Sequence, residues 1–197
     1  MKEKLVSDSE FALHKRNALA RKDHSKKGSI DSAILPLVNL INSMPGFYTT
    51  SSCSGRIMLI ARKSAKKNEA EWLFTSHSPV KPGQIISALS AKIPKHPVWL
   101  KQENMILHIA ARSIEAAERL LTAGNSSGFK RTGIISAGHR IIVSIESADS
   151  INALISAEGR MLISEEGIKA LAEEANSRMR TNFSRIQRLY SALERMK

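Results

Sequence analysis

Cysteine is nearly absent from this 197-residue chain, and Cys53 is the only one. A disulfide within the chain is therefore impossible, and a thiolate zinc cage lacks ligands. Aromatic residues make up only 5% of the sequence, so the core must be built from Ile, Leu, Val, Met and Ala. No G-x-G-x-x-G turn follows a strand and no Gly-Lys-Ser/Thr follows a spaced glycine, which argues against the doubly wound nucleotide-binding fold. A nucleoside cofactor would need a site of another kind. No apolar run approaches membrane-spanning length, and MKEKLVSDSE carries no signal-like apolar stretch, so a soluble, cytoplasmic protein is expected. Acidic residues are also scarce, 18 against 30 Lys and Arg.

What is present follows from that imbalance. The net charge of +12 and pI near 10.1 attract polyanions, so RNA, DNA or an anionic membrane become candidate partners. A soluble protein of basic habit would show the same excess. With 42% hydrophobic residues the chain can bury a real core. Its length suits one domain, read as N-terminal helices over 1–46, a sheet core with helices over 47–163 and a long helix over 164–197.

Residues 8–27 read as a basic helix with few apolar positions, ended by a charged loop over 23–28. Ile30, Ile34, Leu37, Val38 and Ile41 keep helical spacing, but Pro36 should delay the start of that helix. RIMLIAR (56–62) and EWLFTSH (71–77) read as a hairpin joined by the basic loop KSAKKNEA. Pro82 opens a short helix. VWLKQ (98–102) and MILHIAAR (105–112) predict a tight second hairpin over Glu103-Asn104. Ser113 is suited to cap a helix over 114–123, with Gly124 just past its end. GIIS (133–136) and RIIVSIE (140–146) predict a third hairpin turning at Ala137-Gly138. Hairpins alternating with helices imply an α+β fold with a mixed or antiparallel sheet of repeated hairpin-helix units, not a Rossmann-type fold. From Ser164 onward one long helix is expected, acidic at its start and arginine-rich later.

The densest chemical cluster is Tyr48-Thr49-Thr50-Ser51-Ser52-Cys53-Ser54-Gly55-Arg56. Small hydroxyl residues around a glycine let a ligand approach the backbone, and Arg56 can clamp a carboxylate or phosphate with two donors. A polar turn into the next strand would read the same way. Cys53 beside an arginine has the surroundings of a nucleophile, although a lone cysteine is more often a packing residue. Alternation in MILHIAAR points Met105, Leu107, Ile109 and Ala111 one way, with His108 and Arg112 on the other face. Arg140, Ser144 and Glu146 likewise share a face opposite Ile141, Val143 and Ile145, and His77 closes the first hairpin. Ser127-Gly128-Phe129-Lys130 opens a basic loop whose amides and Lys130 suit a phosphate.

These residues, in this order, resemble the methyltransferase family that acts late in wybutosine and wyosine synthesis on tRNA. The likeness runs from about Phe11 to Leu193. It passes through FYTTSSCSGRI, Trp72-Leu73-Phe74 with His77, Ile106-Leu107-His108 with Arg112, Ser127-Gly128-Phe129-Lys130 with Gly133, and the Asn176 to Leu189 region. The resemblance implies transfer of a methyl group from S-adenosylmethionine to the N4 ring nitrogen of the tricyclic base beside the anticodon of tRNA-Phe. It assigns Ser51, Ser52, Cys53, Ser54, Gly55 and Arg56 to the cofactor. It leaves His77 and His108 as candidate proton acceptors and Arg112, Lys130 and Arg140 as substrate contacts. No metal is expected, because methyl transfer from a sulfonium needs positioning and no Lewis acid. Two other readings stay open: a non-catalytic basic RNA-binding module, and a different RNA-modifying enzyme on the same scaffold.

Overall fold

The computed structural model describes residues 7–20, 30–62, 70–90 and 93–197. The expected loop over 23–28, the last turns of the first helix and nearly all of KSAKKNEA lie outside the described residues. The chain divides into two compact units. The first holds residues 1–54, 105–148 and 183–197, and the second holds 55–104 and 149–182.

The first unit is a four-stranded antiparallel sheet in the order β1-β5-β7-β6. Its strands are β1 (Phe47–Cys53), β5 (Ile106–Ala111), β6 (Arg131–Ala137) and β7 (Ile141–Glu146). One face packs on α2 (Leu35–Ser43), α4 (Ile114–Ser126) and the C-terminal part of α5 (Glu165–Glu194). Phe47, Leu107, Ile109, Val143 and Ile145 meet Leu37, Ile41, Leu120, Ile186 and Leu189 in that core. The other face carries α1 (Asp8–Ala20) at one end, where Phe11 lies 5.3 Å from the Tyr48 ring. Lys15 of α1 donates to the Met44 carbonyl at 2.6 Å, and partial burial pulls its pKa below the usual lysine range.

The second unit is a five-stranded antiparallel sheet, β3-β2-β4-β8-β9. Here β2 spans Arg56–Arg62, β3 Ala70–Ser76, β4 Val98–Glu103, β8 Ile151–Ala157 and β9 Arg160–Met161. Its buried residues include Ile57, Leu59, Val98, Leu100 and Ile155, with Ile85 and Leu89 of α3 (Pro82–Ser90). Ile168, Ala172, Ala175 and Met179 are the buried stripe of the first turns of α5. Asn176 holds Val80 at both backbone groups, accepting from its N–H and donating to its carbonyl, each at 2.7 Å.

The fold is α+β with antiparallel sheets and a long C-terminal helix, as expected. The hairpins β2–β3 and β6–β7 form where read, and Pro36 does sit at the start of α2. The hairpin over Glu103-Asn104 does not form. β4 pairs with β2 and β8, while β5 pairs with β1 and β7. A two-residue hairpin turn needs φ > 0, and neither Glu103 nor Asn104 adopts it. Asn104 is instead buried and donates to the Asp149 carbonyl.

Gly124 does not end α4 but lies inside it. A Cβ there would sit 2.8 Å from the Thr132 side chain, so the residue serves a close helix–strand approach. The helix ends at Ser126, capped by Gly128 at φ 97°, with Gly128 N–H on Asn125 and Phe129 N–H on Gly124. That is the two-bond Schellman arrangement. Two further corrections concern strands. Residues 47–53, read as loop, are β1, and β8 and β9 were not foreseen.

Candidate functional site

The first unit presents a floor on the sheet face away from its core. Register places Ser51, His108, Ser144 and Gly133 in one row across all four strands. Cys53, Ile106, Glu146 and Arg131 form the next row. Glu146 organises this patch: it accepts from the Ser144 hydroxyl and lies 3.8 Å from His108 Nε2. On the Gly133 position a Cβ would meet nothing within 4 Å, so the floor opens to solvent there. Toward α1 the row Tyr48–Ala110–Ile142 is apolar and covered. The fully buried Tyr48 hydroxyl has no hydrogen-bond partner among the described residues.

The signature segment is held from its own unit at each end. Asp31, 7% exposed, accepts from both the N–H and the hydroxyl of Ser54, at 3.1 and 3.2 Å. Nothing local in the sequence announces a clamp by Asp31 twenty-three positions away. Ser51 is exposed, with Ser52 and Cys53 half-buried.

In the second unit the turn passes through Gly55, at φ 99°. A Cβ there would lie 2.7 Å from the Glu103 carbonyl and 3.1 Å from Asn182 Nδ2, so both backbone angle and space demand glycine. His77 Nδ1 donates to the Gly55 carbonyl at 2.9 Å, which leaves Nε2 with the lone pair in the neutral ring. Arg56 places Nε and Nη2 on Glu103 Oε2 at 2.9 and 2.8 Å, and its guanidinium lies 4.8 Å from the Trp72 ring centre. The forked donor expected for a ligand is thus engaged by a carboxylate, and Glu103, read from the sequence only as a turn residue, joins the site beside Trp72.

The structure brings His108, Ser51 and the Ser144–Glu146 pair together in the first unit, and His77, Gly55 and Arg56 together in the second. Arg112 pairs with Asp8 of α1 at 3.3 Å, and its own N–H donates to the Gly46 carbonyl. Lys130 turns back to the Asn125 carbonyl at 3.2 Å. Arg140 is exposed in the β6–β7 turn. Among the described residues, no helix is long and apolar enough to cross a membrane.

Residues 11–195 match the model of the family described as methyltransferase TYW3. A Pyrococcus abyssi protein named tRNA(Phe) 7-((3-amino-3-carboxypropyl)-4-demethylwyosine(37)-N(4))-methyltransferase 2 is 38% identical over 87% of this chain and 84% of its own length. A Xenopus laevis homolog of tRNA wybutosine-synthesizing protein 3 is 34% identical over 94% of this chain and 75% of its own. The solved PH1069 protein from Pyrococcus horikoshii superposes with a TM-score of 0.86 at 31% identity, covering 94% of this chain and 97% of that one.

Proposed function

Because this chain belongs to the TYW3 methyltransferase family, we propose that it methylates N4 of the tricyclic demethylwyosine base at position 37 of tRNA(Phe), with S-adenosylmethionine as donor. The observation that carries this reading is the 38% identity, across 87% of the chain, to a relative named for that reaction. The excess of 30 basic over 18 acidic residues fits a polyanionic substrate.

S-adenosylmethionine supplies an electrophilic methyl group on a sulfonium. The hydroxyls of Ser51 and Ser52, beside Cys53 and Ser54, are neutral donors and acceptors that fit a zwitterionic ligand, and Asp31 fixes the backbone that presents them. Arg56 would hold a ligand carboxylate in exchange for Glu103, which its Nε and Nη2 now grip. Catalysis then rests mostly on holding the ring nitrogen in line with the methyl group and excluding water. His108 is the first candidate proton acceptor, since it stands in the open row with Ser51 and Ser144, 3.8 Å from Glu146. His77 is the second candidate, through Nε2. Arg112, Lys130 and Arg140 remain assigned to the RNA, where exposed cations meet phosphate.

The test is transfer of isotope-labelled methyl to tRNA(Phe) bearing the 4-demethyl precursor, with nucleosides identified by mass spectrometry. The wild-type protein should yield the N4-methylated base, and no transfer would end the proposal. His108→Ala should lower kcat by about a hundredfold or more, His77→Ala by less. Arg56→Ala should weaken S-adenosylmethionine binding measured by calorimetry while melting within about 1 kcal/mol of wild type, because the half-exposed Glu103 pair adds little stability. An unchanged binding isotherm would leave Arg56 with a structural role alone.

A further inference from the structure

We propose that the trough between the end of α4 and the last turns of α5 grips the sugar-phosphate backbone of the RNA, on the side of the first unit away from the His108 floor. This inference rests on the reading of the chain as acting on tRNA, and it adds where the polyanion is held. The two places lie on opposite faces of one sheet: Leu107 and Ile109 point into the core shared with α4 and α5, and His108 points out of it.

The trough encloses about 380 Å³ and is lined by Ser126, Ser127, Gln187, Arg188, Ser191 and Arg195, with Ala192 beneath. Arg188, Ser191 and Arg195 are exposed and recur at helical spacing, so they form one stripe. Arg188 meets only a neutral acceptor, the Ser127 carbonyl at 3.2 Å from Nε. Among the described residues neither Arg188 nor Arg195 pairs with a carboxylate, in contrast to Arg56.

The alternative, that these arginines merely finish α4, is weakened by the helix end itself. The carbonyls of Ala123, Gly124 and Asn125 already accept from the Ser127, Phe129 and Gly128 N–H groups. Arg188 Nε takes the Ser127 carbonyl, one bond beyond that ladder. Gly128 also makes room for cations: a Cβ at its position would stand 3.3 Å from both Arg185 Nε and Arg188 Nη2. Its φ of 97° and this approach together make glycine the residue that lets two guanidinium groups lie across the turn.

Spacing identifies the class of ligand. A rise of about 1.5 Å per residue separates Arg188 from Arg195 by about 10 Å along the axis. Two cations so spaced match phosphates in series along one strand. An adjoining cleft of about 650 Å³ shares Ser126 and Ala192 but has Glu115 and Glu118 on its wall beside Arg112 and Arg119. The backbone is thereby steered to the α5 end, where the wall is cationic and hydroxyl-bearing without a carboxylate.

The test uses the full chain carrying Arg188→Gln and Arg195→Gln together, with fluorescence anisotropy of labelled tRNA(Phe) over a range of salt. Binding should weaken at least tenfold at low salt, and the slope of log K against log salt should flatten by about 1.5, because two phosphates would no longer be neutralised. The KM for tRNA should rise with the Kd. S-adenosylmethionine affinity and melting should stay at wild-type values, and Arg188→Lys with Arg195→Lys should restore most of the salt slope. Equal affinity and slope in the glutamine variant would overturn the trough, as would failure of the wild type to bind tRNA. A wild type that binds tRNA through these arginines yet transfers no methyl group would sink the methyltransferase reading and leave the trough standing.

Discussion

The two sheets differ in what they do with their second face. In the first unit, β5 puts Leu107 and Ile109 into the core and leaves His108 on a face that, among the described residues, α1 covers in part. In the second unit β2 is buried on both sides: Ile57 and Leu59 are at 0% exposure, and Met58 and Ile60 at 2% and 4%. Register sets Ile60 between Trp72 of β3 and Trp99 of β4, so large apolar side chains close that face. A sheet with one open face can carry a row such as Ser51–His108–Ser144, because Ser51 and His108 keep access to water or a ligand and the buried Ser144 hydroxyl donates to Glu146. A sheet closed on both faces can offer chemistry only where its strands end, since a buried unpaired polar group costs about 1–3 kcal/mol. That is where Arg56 opens β2, Glu103 closes β4 and His77 follows β3.

The sharpest way to break this contrast is to truncate one residue on each second face. Met58→Ala should destabilise by about 2–5 kcal/mol, as removal of a buried large side chain does. Ile106→Ala, on the open face at 38% exposure, should cost roughly 1 kcal/mol. Urea melts of both variants decide it. Comparable small losses would mean that the second face of β2 is not closed.

The strand-end half of the contrast is tested at Gly55. Gly55→Ala should cost about 1–3 kcal/mol from the left-handed backbone alone, before the contact with the Glu103 carbonyl is relieved. Gly138→Ala has no neighbour within 4 Å and should melt like wild type. If Gly55→Ala is equally silent, the turn has freedom that its geometry denies, and Arg56 and His77 are not held by it.

Much of this was legible in the sequence because the signals were local. Pro36 marked where α2 could begin, Ser113 announced α4, and alternation in MILHIAAR set His108 apart from the core face. β1 was missed because its residues are a run of hydroxyl side chains without alternation, and the strand exists through pairing with β5 some fifty-eight residues on. The false hairpin at Glu103-Asn104 has the same origin: two good strands two residues apart look paired until turn chemistry is examined. Partners drawn from distant segments left no trace either. Asp31 under Ser54, Glu103 on Arg56 and Asn176 on Val80 are tertiary choices with no spacing to betray them.

The smallest expected effect compares the two units at the helix starts, where they look alike. Ser113 accepts from the Ala116 N–H and Ser164 from the Gly167 N–H, each at 3.2 Å. Either serine to alanine should cost about 1 kcal/mol. The pH dependence should separate them. Glu115 and Glu166 both have pKa values held below the usual glutamate range; for Glu115 the Ser113 hydroxyl is the leading cause, whereas for Glu166 its own backbone N–H leads and Ser164 follows. A carboxylate with a depressed folded pKa adds stability that is present above the unfolded pKa and is lost as pH falls through the folded one. The deficit of Ser113→Ala relative to wild type should therefore shrink on going from pH 7 to about pH 3, below the ordinary glutamate value. For Ser164→Ala it should shrink less. Urea melts at the two pH values measure both deficits. Deficits that are equal and independent of pH would show the two caps to be interchangeable and the glutamates to be bystanders.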